Sequence, residues 1–238
     1  FLNKNELEST PPDIDPLTGL PIWDLYGAVD PVTGQEGPDG RFSAADYQDW
    51  WEDGRIADYN DNGYLDPQDI IHAGFRDTTG EQHQFSDGSD DDGNGFIDDI
   101  CGWDFFEDDN DPYDVSSYAT AEHHARGQLA LAAGQQDNGL SGSGVCPECT
   151  MLPLKNWDSF AVDTMYYGTA VLYATRMGAS VIEGAIGGMN NSGICQQAFR
   201  QAYAAGIPLF IVSSDLNTAN HNFPTYLNEP IYCTGMVP

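Results

Sequence analysis

Residues Asp90 to Tyr118 read DDDGNGFIDDICGWDFFEDDNDPYDVSSY and carry the strongest indication of the fold. The first half of this stretch places oxygen-bearing side chains at every second position and then a glycine, Gly95, that permits a sharp turn. Hard cations such as calcium bind six to eight oxygen atoms, and alternating carboxylates before a glycine supply them. The alternative interpretation is an acidic surface turn, but the order D-x-D-x-N-G-x-I-D-D favours a metal site. The predicted calcium ligands of this loop are Asp90, Asp92, Asn94, Phe96 and Asp98.

An earlier stretch carries a second signature of the same kind. From Asp58 to Asp69 the chain follows D-x-N-x-N-G-x-L-D-x-x-D, the EF-hand loop pattern with Asp in the last place instead of the usual Glu. An Asp side chain reaches less far than Glu, so binding through both of its oxygens is less assured. Such loops resemble those of dockerins, and an Asx-rich turn is the alternative. The predicted ligands here are Asp58, Asn60, Asn62, Tyr64, Asp66 and Asp69.

The charge of the chain limits what it binds. It has 238 residues, with 38 Asp and Glu against only 8 Lys and Arg, and a formal net charge of −30. This composition excludes a nucleic-acid-binding protein, which needs a basic surface, and disfavours anionic membranes. Self-repulsion at this charge is severe unless cations neutralise it. No stretch is long and apolar enough for membrane insertion, and the calcium loops suggest a secreted or cell-surface protein in the extracellular or periplasmic space.

The five cysteines leave at least one thiol unpaired within the chain. Cys146 and Cys149 have the spacing of a metal knuckle, but a structural zinc site needs a second close pair, which the sequence lacks. We therefore expect a disulfide, either between these two residues or from them to Cys195 or Cys233. Cys101 follows an apolar residue and is predicted to be a buried thiol.

Helical and extended patterns alternate from residue 120 onward. The predicted helices cover residues 122–133, 159–177 and 194–205, and the predicted strands cover 150–154, 180–186, 208–213 and 230–237. Such alternation forms βαβ units, so we predict an α/β fold whose parallel sheet carries helices on both faces. We divide the chain into an acidic N-terminal segment with the EF-hand-like loop, residues 1–84, and an α/β core, residues 85–238. This core is expected to be incomplete and to belong to a longer chain.

Several segments, in this order, resemble those of the subtilisin-like serine proteases, the subtilases. They are DDDGNGFIDDICGWDFFEDDNDPYD (90–114), AAGQQDNGLSGSGVCPECTMLPLK (132–155), YATRMGASVIEGAIGG (173–188), FRQAYAAGIPLFIVSSD (199–215) and HNFP (221–224). The resemblance implies a parallel sheet with helices on both faces. It also implies a Ser nucleophile, a His base, an orienting Asp, and an Asn that helps the oxyanion hole.

The catalytic positions depart from the family pattern. Thr120 stands where the family carries its histidine, and His123 or His124 would serve as a base only after a shift of register along a forming helix. Such a shift turns a side chain by about 300° and raises it by about 4.5 Å, which general-base geometry does not tolerate. Asp215 stands at the oxyanion position, where a carboxylate repels the developing negative charge. The family's Asp and Ser are expected outside this sequence.

These observations predict a calcium-stabilised subtilisin-like domain that is catalytically inactive, a pseudoprotease with a structural or binding role. The alternative is an active, secreted, calcium-dependent serine endopeptidase with His123 or His124 as base and with Asp and Ser supplied from outside the fragment. Calcium is the expected cofactor. The expected partners are other segments of the same or a processed polypeptide, and a protein partner or extracellular assembly that docks as dockerins do.

Overall fold

A computed structural model gives the structure of the chain in two compact units. The residues that it describes are 2, 3, 6, 27–29, 36–38, 47–76, 80–113, 124–134, 136, 142–158, 163–188, 190–213 and 223–234. The first unit comprises Phe1–Trp103, Asp109–Tyr113 and Leu129–Pro153. The second comprises Asp104–Asp108, Asp114–Gln128 and Leu154–Pro238. The division at residues 84 and 85 stays a prediction.

The described elements are short strands and five helices. The strands are β1 (Gly27–Val29), β2 (Glu36–Pro38), β3 (Phe75–Arg76), β4 (Gln82–His83), β5 (Trp103–Asp104), β6 (Leu154–Lys155), β7 (Ile182–Gly184), β8 (Leu209–Val212) and β9 (Ile231–Cys233). The helices are α1 (Gln48–Glu52), α2 (Pro67–Ala73), α3 (His124–Ala133), α4 (Thr164–Arg176) and α5 (Gly193–Ala204). Pairs β1–β2 and β3–β4 are antiparallel.

The second unit is built on a parallel sheet of order β7-β8-β9. Ile182 of β7 lies opposite Leu209 of β8, and Phe210 of β8 lies opposite Ile231 of β9. The inward side chains of β7 and β8 are buried with the apolar faces of α4 and α5. Members of this core are Tyr167, Val171, Ala174, Ile182, Cys195, Ala198, Phe199, Ala202, Ile207, Leu209, Ile211, Phe223 and Leu227. The prediction of an α/β fold is confirmed.

Local signals at the helix ends explain where α4 and α5 begin and stop. The Asp163 side chain accepts a hydrogen bond from the N–H of Met165 at the start of α4, and Ser192 accepts one from Cys195 at the start of α5. Each helix is followed by a glycine with a left-handed backbone, Gly178 with φ of 74° and Gly206 with φ of 80°. The observed bounds fall within or beside the predicted ones, and the strands are shorter than predicted.

The first unit has its own apolar core, which includes residues that directly follow each of the two acidic loops. Its buried members are Leu2, Tyr47, Trp50, Ile56, Ile70, Ile71, Phe75, Phe85, Ile100 and Cys101. Helix α2 begins with Pro67 after the N-cap Asp66, and it supplies Ile70 and Ile71 to this core. A helix over Pro67–Ala73 thus forms the exit of the EF-hand-like pattern.

The disulfide is the local one of the predicted alternatives. Cys146 and Cys149 form a disulfide, while Cys101 and Cys195 are buried free thiols and Cys233 is an exposed one. The predictions of a local disulfide and of a buried thiol at Cys101 are confirmed. Among the described helices, none has the length and hydrophobicity required to cross a membrane.

Candidate metal centre

The loop from Asp58 to Asp69 is wrapped around its first carboxylate. The two oxygens of Asp58 accept hydrogen bonds from the backbone N–H groups of Asn62, at 3.1 Å, and Gly63, at 2.8 Å. The side-chain oxygen of Asn62 in turn accepts from the N–H of Tyr64 at 2.7 Å. Gly63 has a φ of 80°, which a residue with a side chain rarely adopts, so the glycine permits this turn.

The second half of the loop brings the remaining predicted ligands together. Oδ2 of Asp66 accepts hydrogen bonds from the side-chain amides of Asn60, at 2.9 Å, and Asn62, at 2.6 Å. Asp69 is fully buried, and its two oxygens accept from the N–H groups of Tyr59 and Asp66. Burial raises the pKa of Asp69, and the nearby charges of Asp66 and Asp58 raise it further. Asp69 thus ties the two ends of the loop together.

The loop that starts at Asp90 repeats this geometry. Asp90 accepts hydrogen bonds from the N–H groups of Asn94, at 3.0 Å, and Gly95, at 2.9 Å, and the Asn94 oxygen accepts from the N–H of Phe96 at 2.8 Å. These three bonds link the same relative positions as those of the loop at Asp58. The likeness of the two sequence patterns therefore corresponds to one shared backbone turn.

An acidic cluster lies beside the second loop. One carboxylate oxygen from each of Glu6, Asp92 and Asp99 lies within 4.8 Å of the others. The Asn3 amide donates to Oδ2 of Asp92 at 3.1 Å and to Oδ1 of Asp99 at 2.9 Å, and the Asn94 amide donates to Oδ2 of Asp99 at 2.9 Å. Two unit charges at such a separation repel by about 3 kcal/mol at an effective dielectric constant near 20. The three carboxylates therefore repel one another, and either a proton or a cation would relieve that repulsion.

Glu6 has a strongly raised pKa within this cluster. Burial, together with the charges of Asp99 and Asp92, raises the pKa of its carboxyl to about 7, although hydrogen bonds from the backbone of Asp92 and Asp91 act in the opposite direction. Its Oε1 accepts from the N–H of Asp92 at 3.1 Å. Within the part of the chain that the structure describes, its Oε2 is buried and has no hydrogen-bond partner. A hard cation would supply the missing partner, so these residues fit calcium.

Asp98 and Asp99 have different surroundings. Asp98 has a φ of 55°, and its two oxygens accept from the N–H groups of Asp87, at 2.8 Å, and Gly88, at 2.9 Å. Burial raises the pKa of Asp98. The sequence pattern named Asp98 as a ligand, whereas the structure brings Asp99 to the acidic cluster. The pattern also missed Asn3 and Glu6, because no local spacing links residues 86 or more positions away to the loop.

The structure describes only one of the predicted catalytic positions, His124. Thr120, His123 and Asp215 lie outside the described residues. His124 is the first residue of α3, and its proposed role as a base stays a prediction.

A second charged cluster lies in the second unit, around Lys155. Its Nζ lies 2.7 Å from Oδ2 of Asp104, 3.3 Å from Oε2 of Glu107 and 3.3 Å from Oδ1 of Asp158. Burial by itself would lower the pKa of Lys155, but the hydrogen bond and charge of Asp104, followed by the contacts to Glu107 and Asp158, raise it above the ordinary value. Lys155 therefore stays cationic and neutralises the fully buried Asp104.

Three solved structures match part of this chain. Sphericase has a TM-score of 0.38 and 22% identity, and the match covers 43% of this chain and 36% of sphericase. The prenylagaramide maturation protease PagA has a TM-score of 0.39 and 17% identity, with 43% of this chain and 38% of PagA covered. Fervidolysin from Fervidobacterium pennivorans, a keratinolytic enzyme related to subtilisin, has a TM-score of 0.43 and 22% identity, with 52% and 19% covered. The chain thus spans less than half the length of each.

The sequence itself identifies the family. No curated protein matches the chain. The profile of the Subtilase family matches residues 48–229, which is most of the 238 residues. The match includes both acidic loops, the Lys155 cluster, and strands β7 and β8 of the parallel sheet. The chain therefore belongs to the subtilase family.

Proposed function

We propose that this chain is a calcium-stabilised subtilase domain that does not hydrolyse peptides and has a structural or binding role. The observation that carries the proposal is Thr120 at the position of the family's histidine. A threonine hydroxyl cannot take up a proton near neutral pH, so a serine nucleophile would lack its general base. Asp215 at the oxyanion position adds a second unfavourable change, because its carboxylate repels an oxyanion.

The calcium part of the proposal is supported by the two loops. Both surround an aspartate with backbone N–H groups, at Asp58 and at Asp90, and both gather further side-chain oxygens beside it. Calcium would offset the self-repulsion of a chain with a net charge of −30. The EF-hand-like and dockerin-like character of the loop at Asp58 belongs to this proposal, as does a secreted or cell-surface location, where calcium is plentiful.

The binding role would use the loops or the sheet. A dockerin-like loop suits a protein partner or an extracellular assembly, and the other natural partners are further segments of the same or a processed polypeptide. Strand β7 ends in Gly184, and its hydrogen-bonded neighbour within the described sheet is β8. An extended peptide could add to such an edge as a further strand. Partner binding through a loop would be lost on calcium chelation, whereas binding at the β7 edge would persist.

Fluorophosphonate labelling of the natural full-length protein, together with hydrolysis of a casein substrate, tests the catalytic part. We expect neither a labelled serine nor hydrolysis, with or without calcium. Hydrolysis by the wild type that is abolished by His123→Ala or by His124→Ala would instead establish the alternative of an active endopeptidase. The variant Thr120→Ala is the matched control, because neither interpretation gives Thr120 a catalytic proton to carry.

Thermal unfolding in calcium and in chelator tests the other part. A ligand at 100 times its Kd stabilises the folded state by about 2.7 kcal/mol. For a chain of this size each kcal/mol raises the Tm by roughly 2–4 °C, so saturating calcium should raise it by about 5–10 °C. An unchanged Tm would refute calcium stabilisation without bearing on catalysis.

A further inference from the structure

The C-terminal end of helix α3 is closed by a segment that follows it in the chain. The last carbonyl groups of a helix have no partner within the helix and need donors from elsewhere. In α3, the N–H of Val145 donates to the carbonyl oxygen of Leu131 at 3.0 Å, and the N–H of Cys146 donates to that of Ala132 at 2.8 Å. Residues 145 and 146 thus cap this helix, and Cys146 provides one of the two bonds.

A disulfide holds the residue that makes this second bond. Cys146 is joined to Cys149, three positions along the chain. The N–H of Cys149 also donates to the carbonyl oxygen of Cys146, at 3.0 Å, so the two cysteines close a tight loop. A change in the disulfide therefore acts directly on the helix cap, because Cys146 belongs to both.

The disulfide can be reached from solvent. Cys149 is exposed and Cys146 is half-buried, and the neighbouring Val145 is 93% exposed. Cys101 and Cys195, in contrast, are fully buried. Thiol–disulfide exchange begins when a thiolate reaches one sulfur of the disulfide, and exposed disulfides are the ones that exchange readily. The geometry therefore favours attack on Sγ of Cys149, with Cys146 as the leaving group.

The apolar core of the first unit does not depend on this disulfide. Its buried members, as far as the structure describes them, include neither Cys146 nor Cys149. A disulfide that closes a short loop also removes less entropy from the unfolded chain than one that closes a long loop. The core can therefore stay packed when the disulfide opens, and the change is confined to the loop and the end of α3.

We propose that the Cys146–Cys149 disulfide is an exchange site for an external dithiol, and that its reduction releases the C-terminal end of α3. A thiolate of the dithiol attacks Sγ of Cys149, which breaks the bond to Cys146 and leaves Cys146 as a thiolate. The second thiol of the reagent then attacks the mixed disulfide and frees Cys149. The reagent ends as a disulfide after losing two electrons and two protons, and both chain sulfurs end as thiols. Neither calcium nor a catalytic serine takes part.

The size of the expected change follows from the loop that is opened. For a loop of about four residues, the chain-entropy relation predicts that reduction raises the equilibrium constant for local opening by roughly 20-fold. Amide hydrogens exchange with solvent through such openings, so those of Val145 and Cys146 should exchange up to roughly 20-fold faster after reduction. The amide of Ile207 is the internal control. It donates to the carbonyl oxygen of Ala202 at the end of α5, whose cysteine is a free thiol.

Treatment of the natural full-length protein with dithiothreitol, without denaturant and at constant calcium concentration, tests the proposal. Differential alkylation and mass spectrometry give the oxidation state of each cysteine, and NMR gives the exchange rates of the three amides. We expect Cys146 and Cys149 to become reduced while the protein stays folded. The amides of Val145 and Cys146 should then exchange faster, and that of Ile207 should not change.

Two variants and a control separate the disulfide from other effects of the reagent. Cys149→Ser and Cys146→Ser cannot form the local disulfide. Each should show the faster exchange at Val145 without any reductant and should not respond further to dithiothreitol. The matched control is Cys233→Ser, which removes an exposed thiol outside the loop. It should keep both the disulfide and the full response of the wild type.

Two results would overturn the proposal. The first is a pair of cysteines, Cys146 and Cys149, that stays oxidised until denaturant is added, because the disulfide would then be closed to exchange. The second is reduction that leaves the exchange of the Val145 and Cys146 amides unchanged, because the cap would then not depend on the disulfide. If a variant does not fold, the wild type with and without dithiothreitol still decides. Hydrolysis of casein, or a Tm that calcium leaves unchanged, would refute the proposed function without bearing on this site.

Discussion

Replacing Lys155 with methionine is expected to destabilise the protein by about 3–5 kcal/mol, because the change strands a buried charge. The Lys155 side chain is 7% exposed, and its Nζ lies 2.7 Å from Asp104, whose side chain is 0% exposed. Methionine has nearly the same length and apolar volume, so the variant removes the charge with little change in packing. Two backbone N–H groups, those of Phe106 and Glu107, still donate to Asp104, which places the loss at the lower end of the range.

The other partners of Lys155 contribute much less. Glu107 and Asp158 are 51% and 39% exposed, and surface ion pairs contribute about 0–1 kcal/mol each. The variants Glu107→Gln and Asp158→Asn are therefore matched controls that should each cost less than about 1 kcal/mol. The double variant Lys155→Met with Asp104→Asn should recover part of the single-variant loss, since no unpaired charge remains.

Urea denaturation followed by circular dichroism and tryptophan fluorescence measures these differences, provided that both probes give one transition. A loss below about 1 kcal/mol for Lys155→Met, or no recovery in the double variant, would refute the argument from buried charge.

The pH dependence gives an independent check with a definite sign. The folded-state pKa of Lys155 is raised above its ordinary value of 10.5. When folding raises the pKa of a lysine, its contribution to stability is complete at pH values below the unfolded-state pKa. That contribution is lost as the pH rises through the folded-state pKa. The stability difference between wild type and Lys155→Met should thus be constant between about pH 6 and 9 and shrink only above about pH 10.5.

Three further predictions concern the thiols, the core and a helix cap. Burial raises the pKa of both Cys101 and Cys195 to about 12, so native protein at pH 8 should react with iodoacetamide at the exposed Cys233 alone. Mass spectrometry identifies the alkylated residues, and rapid alkylation of either buried thiol would contradict the packing. Phe199→Ala should cost about 3–5 kcal/mol in urea, since Phe199 is fully buried among α4, α5 and the sheet. Asp163→Ala should cost about 1 kcal/mol through loss of the α4 N-cap, and a cost above about 2 kcal/mol would mean that Asp163 does more than cap the helix.

Features that depend on residues close together in the chain could be predicted from the sequence. Asp58 and Asp90 each lie four and five positions before the N–H groups that bind them, so the spacing alone predicted two turns of one kind. Gly178 and Gly206 end α4 and α5 because a left-handed residue is needed directly after each helix. The alternation of helices and strands then predicted the parallel sheet, and the local spacing of Cys146 and Cys149 predicted their disulfide as one of the options.

Which distant charges meet could not be predicted from the sequence, because their contacts depend on the tertiary structure. Glu6 and Asp92 are 86 positions apart, and Lys155 and Glu107 are 48 positions apart, so no periodicity relates them. Burial of apolar neighbours such as Leu2 drives folding and places these charged groups close to one another. Charges that become buried in this way must then pair with groups that lie within reach. The choice between Asp98 and Asp99 has the same origin, because a single step along the backbone turns one carboxylate to the 87–88 turn and the other to the acidic cluster.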